Sequence, residues 1–184
     1  MLTKPCKICR QPSRPFKTTC SLDCEAELGL RLLEKSKRAE AKQVRAVDKE
    51  RKEKLKRLSD WIADAQIIFN KYIRVRDAGL PCICCGRFPN YKFGVGGDFD
   101  AGHYRSRGSA GHLRFNEDNC HAQLKQCNRW GSGRAVDYRI GLIQRIGLVR
   151  VEALESNNAP HKWSIEEMKE IIVTYKSKLK EIEK

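Results

Sequence analysis

A mostly helical α+β fold is what this chain predicts. Its parts are an N-terminal zinc module, a long basic helix, a small strand-strand-helix core held by metal, and C-terminal helices. Three observations predict it. Cysteines fall in spaced groups (Cys6, Cys9, Cys20, Cys24; Cys82, Cys84, Cys85; Cys120, Cys127), no proline interrupts Cys24 to Arg76, and the chemistry-bearing motifs crowd between Cys82 and Trp130.

The first element is Cys6-x2-Cys9 and Cys20-x3-Cys24 around an insert rich in Lys, Arg, Pro and Thr. Such an insert forms no apolar core. A four-thiolate zinc site supplies the missing stability, about 10–16 kcal/mol in small zinc modules. The second element is a helix from Cys24 to about Arg76, with Gly29 its weak point. Between Arg31 and Leu58 it carries twelve Lys or Arg against five Asp or Glu. Mixed charges at three and four spacing stabilise a solvated helix, and the same excess suits a helix lying along a nucleic-acid backbone. Further on, Leu55, Leu58, Ile62, Ala65, Phe69, Tyr72 and Ile73 recur at helical spacing and predict a core-facing stripe. It stops at Asp77-Ala78-Gly79-Leu80-Pro81, where Gly caps and Pro forbids continuation. The boundaries that follow are 1–28 for the zinc module, 29–58 for the basic linker and 59–184 for the metal-stabilised domain with its C-terminal helices.

After Gly131-Ser132-Gly133, Val136, Ile140, Ile143 and Ile146 predict a second amphipathic helix. Val151 and Leu154 continue beyond a break at Gly147. Ser164 and Glu167 form a capping box for a last helix reaching about Glu183.

Composition sets the class of partner. The 184 residues suffice for one modest domain with appendages. A formal charge of +14 and a pI near 9.5 favour a polyanion, because each phosphate neutralised releases counterions. No apolar run approaches the ~20 residues that span a bilayer, so a membrane is not an expected partner. Nine cysteines with no secretory signal point to a reducing cytoplasm and to metal ligation rather than disulfides.

In the central stretch, Cys82 and Cys85 have knuckle spacing and Cys127 is their partner from the far side. Leu124 stands where a second Cys-x2-Cys would begin. The fourth ligand is then Cys120, Cys84 or His121, with Cys120 favoured because Cys84 lies close to Cys85. Between the knuckles, Phe99-Asp100-Ala101-Gly102-His103-Tyr104 reads as a short strand between Gly-rich loops (Gly94 to Gly97, Gly108 to Gly111), presenting His103 at an exposed end. Hydrolysing a phosphodiester needs a base for water, a cation for the charge on phosphorus, and neutralisation of the leaving oxygen. His103 suits the base role near pH 7. Asp100 and Asn128 offer hard oxygens to Mg²⁺ or Mn²⁺, which asks for only one or two protein ligands. Asn119 is expected to hold His103 through a backbone contact, fixing the ring's tautomer and direction. Arg105, Arg107, Arg114, Lys125 and Arg129 surround these residues and are expected to contact phosphates.

These residues resemble the HNH or ββα-metal nucleases, and most closely the NinG/Rap family of lambdoid phages. The resemblance runs through Phe99-Asp100-Ala101-Gly102-His103-Tyr104-Arg105, Leu113-Arg114-Phe115-Asn116, Asn119-Cys120-His121-Ala122-Gln123 and Cys127-Asn128-Arg129. It continues through Tyr138-Arg139, Arg145-Ile146-Gly147, Glu155-Ser156-Asn157 and His161-Lys162-Trp163, and takes in the N-terminal cysteines. It implies a phage-encoded recombination nuclease that cuts D-loops and Holliday junctions in the host cytoplasm, with phage recombination proteins as further partners. The Asp-x2-His spacing followed by Cys-Asn also looks like the junction-resolving endonuclease VII class. Carried over, that likeness puts the catalytic metal on Asp100 and Asn128 and water activation on His103. Two departures stand out. Gly102 precedes the base where many HNH enzymes have an acid or His, which makes Asp100 the necessary ligand. Leu124 replaces a cysteine that family members usually carry.

The expectation is therefore a zinc-stabilised, Mg²⁺- or Mn²⁺-dependent endonuclease for branched DNA, with a homodimer through the long helix as a further expectation. The competing expectation is a non-catalytic, zinc-stabilised branched-DNA-binding accessory protein. Binding alone needs none of Asp100, His103, Asn119 and Asn128, which favours the first.

Overall fold

The computed structural model describes residues 4–89 and 97–183. Gly94 and Gly96, expected in a loop before the strand that carries Asp100 and His103, lie outside them. The chain folds as two compact units, Met1–Lys56 and Arg57–Lys184.

In the first unit, Pro5 and Pro12 bridge antiparallel and Cys6 N–H donates to Gln11 O at 2.7 Å. This closes a turn around the cysteines without an apolar core. Helix α1 (Leu22–Leu55) starts where the Ser21 side chain accepts from Cys24 N–H. Asp23 and Glu25 in the first turn and Lys52 and Lys54 in the last complement the helix dipole. None of its 34 residues is buried.

The unbroken helix expected from Cys24 to Arg76 is two helices. Lys56 leaves α1 with φ −68° and ψ 130°, and α2 (Leu58–Arg76) restarts with Asp60 accepting from Arg57 N–H at 2.9 Å. No proline or glycine marks the break. A carboxylate three residues ahead competes for the backbone donor and begins a new helix.

In the second unit, α2 is followed by β1 (Phe99–His103), β2 (Cys120–Leu124), a π-helical turn (Gln126–Trp130), α3 (Ala135–Ile146), α4 (Leu148–Ser156) and α5 (Ile165–Ile182). The strands pair antiparallel in the register Phe99↔Leu124 to His103↔Cys120. Ala65, Phe69, Tyr72 and Ile73 of the expected stripe are buried against Met168, Tyr175 and Leu179 of α5, with Trp61 added. Phe69 meets Tyr175 edge-on at 4.9 Å. Leu55 is 74% exposed and belongs to the other unit. The Ser164–Glu167 capping box opens α5 as expected.

The face that α3 buries matches the expected one only in part: Ile143 and Ile146 pack half-buried against the core. Val136 and Ile140 are exposed, and Tyr138 and Leu142 are inside with Val151, Leu154 and Ile83. Apolar residues on α3 lie on more than one side, so packing against the cysteine turn decides which is covered. Gly141 makes that approach feasible: a Cβ there would lie 1.7 Å from Ile83 O. The buried Tyr138 hydroxyl donates to Gly102 O at 2.8 Å and accepts from His121 N–H at 3.0 Å, bridging a register pair of the sheet.

Asp77, the C-cap of α2, is buried beneath β2. It accepts from Ala122 N–H at 2.8 Å and from Arg76 at 2.7 and 3.0 Å. Burial alone would raise its pKa. Hydrogen bonds from His121, Arg76 and the Ala122 N–H outweigh burial and hold it well below the usual carboxylate range.

Candidate metal centres and active cleft

Two sets of four thiols converge: Cys6, Cys9, Cys20 and Cys24, and Cys82, Cys84, Cys85 and Cys127. Within each set the sulfurs lie within 4.8 Å of one another. Tetrahedral zinc with Zn–S near 2.3 Å asks for sulfurs roughly 3.8 Å apart. The observed Cys20–Cys24 separation is 3.6 Å, Cys9–Cys24 3.9 Å and Cys82–Cys84 3.5 Å. Both clusters could hold zinc, and the surroundings suit thiolates. Leu124 N–H donates to Cys82 Sγ at 3.3 Å, Gln123 Nε2 to Cys84 Sγ at 3.4 Å and Arg87 Nε to Cys85 Sγ at 3.5 Å. At Cys85 burial opposes ionisation, but the Arg87 side chain and backbone bring the thiol down to about 7.

The fourth member of the second cluster is Cys84, which corrects the expectation of Cys120. The tight turn around Cys84 brings three sulfurs of one short segment together. Leu124, at the position expected to lack a ligand, contributes its backbone N–H. Cys120 is fully buried elsewhere, its Sγ 3.7 Å from His103 Nδ1, and burial pushes its thiol well above the ordinary value.

Cys127 sits in the π-helical turn directly after β2, and that turn carries Asn128 and Arg129. The cysteine cluster thereby sets Asn128 beside the strand. Asn128 Nδ2 donates to Asp100 Oδ2 at 3.1 Å. Arg129 chelates the same carboxylate at 2.7 and 3.0 Å. Burial works against ionising Asp100, but Arg129 and Asn128 outweigh it and its pKa is lowered.

His103 is half-buried rather than at an exposed end. Its Nε2 donates to Arg114 O at 2.9 Å, which defines the Nε2–H tautomer and leaves Nδ1 with the lone pair. Burial, with Arg107 and Arg114 adding positive charge, lowers its pKa to about 4, so the ring is neutral at physiological pH. Asn119 does not hold this ring. It is fully buried and bonds Arg105 N–H at 2.8 Å, Arg105 O at 3.0 Å and Leu113 O at 3.2 Å, stapling the segment after β1.

Asp100, His103, Asn128 and Arg129 line one cleft of about 550 Å³, together with Arg74 and Arg107. Arg107 is exposed and Arg74 half-exposed, and neither has a hydrogen bond or ion pair among the described residues. The other expected phosphate contacts are engaged internally. Arg105 donates to Leu154 O at 2.8 Å, Asn157 O at 2.6 Å and Asn158 Oδ1 at 2.7 Å, clamping the end of α4. Arg114 donates to Gln66 at 3.2 Å, and Lys125 donates to Gly97 O. Sequence reasoning missed Arg74. The signal was the polar series Gln66, Asn70, Arg74 at every fourth position of α2, joined by a Gln66–Asn70 bond of 2.7 Å.

Among the described residues no helix is long and apolar enough to cross a membrane. The family model described as "Bacteriophage Lambda NinG protein" matches residues 2–184. Protein ninG of Escherichia phage lambda is 47% identical over 132 residues, 72% of this chain and 62% of that protein. The corresponding protein of Salmonella phage P22 is 45% identical over the same shares of each. Protein ninG of Enterobacteria phage H19B is 38% identical over 193 residues, 97% of this chain and 93% of its own length. The match therefore spans less than two thirds of the lambda and P22 proteins. No solved structure matches the chain.

Proposed function

The chain belongs to the NinG family, and we propose that it is a metal-dependent endonuclease of HNH type cutting branched DNA in phage recombination. The observation that carries this reading is the meeting of a neutral, carbonyl-tethered His103 with the Asp100–Asn128 pair in one basic cleft. A merely DNA-binding surface has no need of an imidazole tethered through Nε2 to a backbone carbonyl beside a carboxylate–carboxamide pair.

The donors fit a hard divalent cation. A carboxylate and a carboxamide lie 3.1 Å apart, and Mg²⁺ or Mn²⁺ keeps most of its waters and needs only one or two such ligands. Asn128 would turn its amide to present oxygen, and Arg129 would release the carboxylate. The cation, once bound, supplies charge stabilisation to the phosphorus and its leaving oxygen. His103 would take the proton of the attacking water on Nδ1, which also lies 3.7 Å from the Cys120 thiol, while Arg114 O keeps Nε2–H in place as the ring becomes cationic. The resulting hydroxide attacks phosphorus, the P–O3′ bond breaks, and the leaving 3′ oxygen takes a proton from solvent water while His103 returns its own to solvent. Arg74 and Arg107 bind flanking phosphates, which position a duplex without reading its sequence. The two cysteine clusters would hold zinc, and the second, through Cys127, would keep the Asn128 turn against β1.

Matched branched and linear DNAs incubated with Mg²⁺ or Mn²⁺ test this, with His103→Ala alongside. Cutting confined to branched DNA and lost in the variant, with junction binding kept, is expected. Tight binding of branches by the parent chain with no cutting under either metal would replace this reading with a non-catalytic accessory role.

A further inference from the structure

Helix α1 carries two seven-residue patterns that its charge alone does not explain. Leu30, Leu33, Lys37, Glu40, Val44 and Val47 alternate at spacings of three and four and so share one face. Arg31, Lys35, Arg38, Lys42, Arg45 and Lys49 repeat in the same way, roughly 150° around the helix. One seam is therefore apolar with a polar centre, and the other is wholly basic.

The apolar seam has no cover. Leu30, Leu33, Val44 and Val47 are 63%, 52%, 55% and 65% exposed, on a helix with no buried residue. Four ion pairs run along the helix, Arg31–Glu27, Arg38–Glu34, Lys49–Glu53 and Lys54–Glu50, while Lys35, Lys42 and Arg45 on the basic seam have none among the described residues. Lys37 and Glu40, at the centre of the seam, have no ion pair among the described residues.

The seam is complementary to itself when reversed. A two-fold axis between Arg38 and Ala39 sets Leu30 against the second copy's Val47, Leu33 against its Val44, and Lys37 against its Glu40. Parallel pairing at equal register instead sets Lys37 against Lys37 and Glu40 against Glu40, which like-charge repulsion disfavours. We propose that α1 pairs with α1 of a second copy of this chain, antiparallel and in that register. Both basic seams then face outward, and the central ion pairs set direction and register while the leucines and valines supply the burial. The pairing does not depend on the nuclease reading.

Sedimentation equilibrium of the zinc-loaded full chain tests the proposal, with circular dichroism showing that helix content is kept. Lys37→Glu alone faces Glu against Glu40 twice, and Glu40→Lys alone faces Lys against Lys37 twice. Each should weaken dimerisation ~10-fold or more. The double variant K37E/E40K, and an equimolar mixture of the two single variants, should return to within about threefold of the parent. A parent that stays monomeric at high concentration overturns the proposal, as does a dimer indifferent to both single substitutions. Weakening by the single substitutions without recovery in the double variant overturns the antiparallel register.

Discussion

Tyr138→Phe removes one oxygen and leaves the rest of a buried side chain in place. That oxygen accepts from His121 N–H at 3.0 Å and donates to Gly102 O at 2.8 Å. Both backbone groups lie on neighbouring strands where water does not reach. Each buried polar group left unmet costs about 1–3 kcal/mol, and partial closing of the ladder recovers some of that. The expected loss is about 2–4 kcal/mol of unfolding free energy. Urea denaturation followed by tryptophan fluorescence measures it, because Trp61, Trp130 and Trp163 all belong to the Arg57–Lys184 unit. The urea slope should be unchanged, since burial on folding is the same. A loss below about 0.5 kcal/mol would refute the reasoning, because Gly102 and His121 would then pair directly at no cost and the tyrosine would be filler.

Cys84→Ser should lower bound zinc, measured by elemental analysis, while Cys120→Ser should leave it at the parent level; the reverse result would return the fourth ligand to Cys120. Asp77 has a depressed pKa, so its stabilisation is present above the ordinary carboxylate value near about 3.9 and drains away as pH falls below it. The stability gap between the parent and Asp77→Asn should therefore shrink in acid, and a gap constant down to low pH would exclude the ionic role. His103 is neutral until pH nears about 4, so cleavage of branched DNA should hold steady through mildly acidic buffers. An acid limb with its midpoint at the free-histidine value would mean that the ring is solvated. Arg107→Ala should weaken DNA binding more than Arg105→Lys, which should act chiefly on stability; equal binding losses would mean that Arg105 leaves its clamp on α4 to meet phosphate.

Local signals in the sequence reached their targets. The Ser164–Glu167 box and the Ala65–Phe69–Tyr72–Ile73 stripe depend on neighbours within one turn or two, and both stand where spacing put them. The first cysteine set was legible for the same reason, since two spaced pairs leave little choice. The second set was not, because choosing between Cys84 and Cys120 requires knowing how a three-residue turn folds back on itself. Arginine roles were equally hidden. One guanidinium binds phosphate, helix-end carbonyls or a carboxylate with the same donors, so Arg105, Arg107 and Arg129 read alike in one dimension. Asn119 was found as a residue that matters but given the wrong task. Its amide satisfies backbone groups of Arg105 and Leu113, from segments whose meeting no pattern announced.

Helix α3 works as a strut with two fixed ends. At Gly141 it rests on the backbone of the cysteine turn, with no side chain between them to act as a cushion. Three residues earlier, Tyr138 is pinned into the strands that end at His103. Such a member has almost no tolerance in length, because adding even a methyl group at Gly141 would push the helix bodily off its seat. A change in the cysteine turn is then transmitted to β1 as displacement rather than absorbed by soft packing. The spacing across the cleft is in this sense gauged by how the cysteine turn seats the helix.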